Sequence, residues 1–146
     1  MYQAAVIYAP SSQEMNALSK LIVGKLPQDR IKAVRKEASQ ASIPDLASAD
    51  LVLLGSTAEG TAAVHQGFAE ILRALGGISL AGRTVGVFAL RTESTLKAFK
   101  KALQDCETTI GPGHYLMLST AEAAEAALGP WLNSLIEHLE ARRNER

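Results

Sequence analysis

Three stretches, "AAVIY" (Ala4–Tyr8), "LVLLG" (Leu51–Gly55) and "TVGVFAL" (Thr84–Leu90), are unbroken apolar runs, each ending at a polar or glycine-containing turn. A strand with one wet face alternates apolar and polar residues. A strand that is apolar throughout must be covered on both faces, which happens where helices flank a parallel sheet on either side. These runs therefore restrict the chain to a layered α/β architecture. "IKAVRK" (Ile31–Lys36) mixes apolar and basic residues, as suits an edge strand, where charge discourages edge-to-edge pairing. "HYLML" (His114–Leu118) is the fifth strand candidate.

Helical patterns fill the intervals. Met15, Leu18 and Ile22 recur at spacings of three and four, with Leu21 widening the stripe. Val64, Phe68, Ile71, Leu72 and Leu75 form a second stripe, closed by Gly76 and Gly77. Leu96, Phe99 and Leu103 form a third, and Leu128, Trp131, Leu132, Leu135 and Leu139 a fourth. A short helix is expected over Ile43–Ser48. At Gly129-Pro130 either one helix continues with a kink, or one helix ends and another begins with Pro130 in its first turn. The charged tail "EARRNER" is expected to fray.

Strand and helix alternating through five strands imply right-handed crossovers and a three-layer α/β/α sandwich over residues 1–146, read as one domain. The usual order for such a sheet, 2-1-3-4-5, places its topological switch between the first and third strands. Ligands bind there, beyond the strands' C-terminal ends. The loops after Tyr8, Leu54 and Leu90 are thus where a ligand site is expected.

Composition narrows the choices. Fifteen basic and fifteen acidic side chains cancel, so no large basic field marks a nucleic-acid binder. One cysteine, Cys106, leaves no internal disulfide or cysteine-rich zinc site, and reads as a structural thiol. Three scattered histidines show no metal-ligand spacing, and neither GxxxxGK[ST] nor GxGxxG occurs. No apolar run approaches the length of about 20 residues that spans a bilayer, and the N-terminus lacks a signal peptide's basic and apolar regions. The expected location is cytoplasmic. Tyr2, Trp131 and Tyr115 read as packing residues.

At its three loops, and through "ADLVLLGST" and "FAEILRAL…LAGRTVGVFAL", the chain resembles the short-chain flavodoxins and the flavodoxin domains of larger flavoproteins, over nearly its whole length. The resemblance implies a flavodoxin-like fold, an FMN cofactor and electron transfer with a redox partner, hence a carrier or binding protein. An FMN-dependent quinone or nitro-compound reductase would call for a substrate-binding insertion, and none is visible. In the family a turn of the form T/S-x-T-G-x-T holds the FMN phosphate. The resemblance puts Ser11, Ser12 and Gln13 there, with Gln13 in place of the glycine and Met15 in place of the last hydroxyl. It puts Ser56, Thr57 and Ala58 in the second loop, and Leu90, Arg91 and Thr92 in the third, beside the flavin. No aromatic residue occupies either loop, which leaves Leu90 and Met15 as the apolar walls available to a flavin, although Met15, one turn into the helix, reads first as a core residue or a cover for the loop.

Local chemistry offers competing roles for the same residues. Ser11 to Glu14 reads as a capping box: Ser11 accepts from the Glu14 N–H while the Glu14 carboxylate reaches back, supplying the helix with its own anion. Arg91 either binds an anionic ligand or pairs with Glu14 or Glu59. His65 is a proton donor, a ligand contact or a helix-start histidine; Phe68 belongs to the core. Thr92, or else Ser94, caps the next helix. The alternative to an FMN carrier is therefore a flavodoxin-fold module that has lost FMN and binds a partner or a small anion.

Overall fold

A computed structural model describes residues 2–58, 62–104, 106, 108, 112–120 and 124–144. Its elements follow in the order β1 (Tyr2–Ala9), α1 (Gln13–Lys25), β2 (Ile31–Glu37), α2 (Ile43–Ala47), β3 (Leu51–Thr57), α3 (Ala69–Leu75), β4 (Thr84–Leu90), α4 (Glu93–Leu103), β5 (Tyr115–Leu118) and α5 (Ala124–Asn144). All strand pairs are parallel and the sheet order is β2-β1-β3-β4-β5, the flavodoxin-like arrangement.

Each apolar run feeds two cores, because successive side chains of a strand point to opposite faces. Ala4, Val6 and Tyr8 of β1, Leu51 and Leu53 of β3, and Phe88 and Leu90 of β4 pack beneath α1 and α5. Ala5 and Ile7, Val52 and Leu54, and Val85 and Val87 pack beneath α3 and α4. Two glycines make the α5 side possible. A Cβ on Gly55 would stand 2.0 Å from the Phe88 ring, and one on Gly86 would stand 2.7 Å from Leu135. Phe88 fills the space Gly55 leaves and meets Trp131 edge to face, ring centroids 5.9 Å apart.

Some boundaries differ from the sequence expectation. Val64 is buried, but in the loop before a 3-10 turn over Gln66–Phe68, and α3 begins only at Ala69. His114 ends another 3-10 turn, and β5 begins at Tyr115. Of the two possibilities at Gly129-Pro130, the chain takes the single helix, with Pro130 inside α5. The buried Cys106 thiol donates to the Leu75 carbonyl at 3.0 Å, a packing role. Among the described residues no helix is long and apolar enough to cross a membrane, and no group of three His, Cys, Asp or Glu could hold a metal.

Candidate functional site

The switch between β1 and β3 brings the three loops together at the C-terminal ends of the strands, and α1 starts there. Its N-cap is Ser12, in extended conformation, whose Oγ accepts from the Met15 N–H at 3.1 Å. The cap thus lies one residue beyond the expected Ser11, and the third helical position holds Met15, which cannot close a capping box. The Met15 side chain is fully buried with Leu18 and Ile22. That burial fixes the phase of the helix. Exposed Ser11 instead accepts from the Asn16 side-chain amide at 3.3 Å, and Gln13 is exposed.

Glu14 finds Arg91. The guanidinium makes two contacts with the carboxylate, Nη1 to Oε2 at 2.9 Å and Nη2 to Oε1 at 2.8 Å, a planar fork meeting a planar acceptor. Of the two partners expected for Arg91, Glu14 is the one found; Glu59 lies outside the described residues. The hydrogen bond and charge of Glu14 hold the guanidinium above its ordinary pKa. Arg91 has a φ of 65°, left-handed backbone that glycine adopts at no steric cost. Its N–H donates to the Leu118 carbonyl at 2.7 Å, which ties the loop to β5. The glycine-rich turn of the resembled family is thus replaced by an arginine in a glycine-like conformation. The pair links the first turn of α1 to the end of β4 across the mouth of the site.

Several of the other expected ligand groups are engaged or turned inward. Ser56 is buried; its Oγ donates to the Thr57 carbonyl at 2.9 Å and accepts the His65 N–H at 3.0 Å. His65 itself is a helix-start histidine, its Nδ1 accepting the Gly67 N–H at 3.0 Å. Thr57 is half-buried and Ala58 exposed. Thr92, rather than Ser94, caps α4, accepting from the Ser94 N–H at 3.2 Å. Leu90 and Met15 are core residues at 1% and 0% exposure, so neither offers a wall. None of the seven aromatic side chains stands at the loops as a platform. Phe68 stacks edge-on with Phe99 in one core, Phe88 with Trp131 in the other, and Tyr2 and Tyr115 sit at the opposite ends of their strands. Tyr8 is buried, its ring lies beneath the Arg35 guanidinium, 5.1 Å from the centroid, and its hydroxyl accepts from Arg35 Nη1 at 2.7 Å. The same Nη1 also contacts Asn16 Oδ1 and Ser19 Oγ, both at 3.2 Å.

Sequence reasoning missed this Arg35 cluster, since β2 and α1 meet only in the fold. It also missed a cavity of about 420 Å³ between α4 and β5, whose lining includes Lys97, Lys100, Lys101, Leu103, Gln104 and Tyr115. Its signal was the lysine spacing in "LKAFKKAL".

With this geometry in view, solved structures show what the architecture is. No protein-family model matches the chain, and no curated protein sequence matches it. Oxidised flavodoxin 2 from Bacillus cereus superposes with a TM-score of 0.77 at 21% identity, over 95% of this chain and 99% of that one. A Fusobacterium nucleatum flavodoxin bound to flavin mononucleotide gives 0.75 at 12% identity, over 94% and 99%. Rubredoxin:oxygen oxidoreductase from Desulfovibrio gigas gives 0.79 at 12% identity, with 96% of this chain lying on 36% of that larger one. The chain has the flavodoxin-like fold.

Proposed function

We propose that this chain is a flavodoxin-fold module that does not hold FMN and acts by binding a protein partner. The observation that carries the reading is the two-pronged Glu14–Arg91 pair across the mouth of the strand-end site. The first turn of a helix attracts a phosphate through its N–H groups and dipole. Here that turn carries a carboxylate, which repels a phosphate and already engages the nearest guanidinium. The ring end lacks support too, because the loops present neither an aromatic platform nor an apolar wall. As arranged, these residues do not fit FMN.

A second reading, an FMN-binding electron carrier of low affinity, is favoured by the exposure of the pair. Glu14 and Arg91 are 31% and 54% exposed, and such pairs are worth about 1 kcal/mol or less. A phosphate can displace a bond of that size. Titrating FMN against the purified protein separates the readings. The first expects FMN fluorescence to stay unquenched at micromolar concentration; a yellow protein, or quenching in that range, overturns it and supports the second. Glu14→Gly then apportions the cause. Binding gained shows that the carboxylate was the obstacle, and binding still absent assigns it to the missing ring contacts.

A further inference from the structure

The last two turns of α4 carry Lys97, Lys100 and Lys101, all exposed, over the cavity that α4 shares with β5. None of the three has an ion-pair partner among the described residues, although five other pairs form there. Cations in a last helical turn offset the negative end of the dipole, which accounts for Lys100 and Lys101 standing there. It does not account for Lys97 a turn earlier, nor for the shape beneath. Leu103 and the half-buried Tyr115 line the cavity as apolar surface, and Gln104 adds a neutral donor and acceptor. Burial raises the Tyr115 phenol above its ordinary pKa, so it remains a neutral hydroxyl. Met117, on the same face of β5 as Tyr115, leaves a large apolar side chain 48% exposed.

We propose that the α4–β5 groove is the docking site for an acidic, extended segment of a partner protein, whose carboxylates pair with Lys97, Lys100 and Lys101. The spacing supports an extended chain. Lys97 and Lys101 are four residues apart, about 6 Å along the helix. Same-face residues of an extended peptide are about 6.8 Å apart, so two carboxylates at i and i+2 reach both ammonium groups. An apolar side chain of the same segment covers Tyr115 and Met117. The proposal rests on the partner-binding reading above and names the partner's chemistry.

The test is an amide-resolved NMR titration of the intact protein at low salt. Three probes are used: the acetylated hexapeptide Glu-Leu-Glu-Glu-Leu-Glu, its counterpart with every Glu replaced by Gln, and inorganic tripolyphosphate. The acidic peptide is expected to shift resonances of residues 97–104 and 115–117. Its affinity should fall about tenfold in Lys97→Gln/Lys100→Gln/Lys101→Gln, the summed effect of exposed ion pairs, and should fall with added salt. An unchanged melting temperature shows that the triple variant folds. The proposal is overturned if the peptide produces no shifts, or if the shifts spread over Lys20, Lys25 and Lys32. It is equally overturned if the triple variant or the Gln peptide binds as well, or if only tripolyphosphate binds, which makes the groove a small-anion site. FMN binding in the separate titration overturns the FMN-free reading and leaves this result standing.

Discussion

The strand-end rim and the α4–β5 groove both present positive charge, yet they treat it in opposite ways. At the rim, Arg91 is held by Glu14, and Arg35 by Tyr8, Asn16 and Ser19. In the groove, three lysines face solvent without an acidic partner among the described residues. In folds of this kind ligands ordinarily bind beyond the C-terminal ends of the strands. Here Arg91 and Arg35 are held by neighbours, while Lys97, Lys100 and Lys101 stand together one helix away without an ion-pair partner among the described residues. The partner-binding proposal therefore rests on where charge is left over, and not on the topological switch.

The contrast makes predictions of decreasing size. The rim stands on packing more than on its ion pair, so Gly55→Ala, which forces a Cβ into the Phe88 ring, should cost about 3 kcal/mol by chemical denaturation. A loss below about 1 kcal/mol would show that the rim can yield, and would weaken the contrast.

Across the sheet from the groove, on the α5 side, His114 precedes Tyr115 and is buried against His138, ring centroids 4.9 Å apart. Burial first, and His138 second, hold its pKa below the ordinary histidine value, while a Val85 backbone hydrogen bond offsets part of this. A depressed histidine pKa means that the unfolded chain takes up the proton first as pH falls. Stability should therefore be intact above about pH 6.5 and decline below it, and His114→Gln should flatten that decline in denaturation curves between pH 7 and pH 5. A profile identical to wild type would remove His114 as its source.

Smaller still, Arg91→Gly exchanges an exposed ion pair for relief at a left-handed residue. The two terms are each about 1 kcal/mol or less and oppose one another, so the melting temperature should hardly move. Lys97→Gln should leave stability unchanged within about 0.5 kcal/mol and alter only peptide binding.

Much of the fold was legible because burial on both faces leaves an apolar run that needs no partner to be recognised; β4 matches its run residue for residue. Val64 was misplaced because a buried loop residue and a helical one contribute the same apolar letter. The rim was legible in composition but not in pairing. "SSQE" admits a cap at either serine, and what decides is Met15, whose burial fixes the phase of the helix. That Arg91 meets Glu14 was one of several pairings open in sequence, since 77 residues separate them. Of the groove, only the lysine spacing of its α4 rim was legible, because its floor comes from β5 and only the sheet order brings the two together.

The most direct measurement is the Arg91 Nε–Hε resonance followed while FMN is added to the wild-type protein. If Glu14 closes the strand-end site, the resonance stays where it is and the flavin remains free in solution. If it shifts in step with flavin quenching at micromolar FMN, the guanidinium has left Glu14 for a phosphate, and the closed-rim account is contradicted.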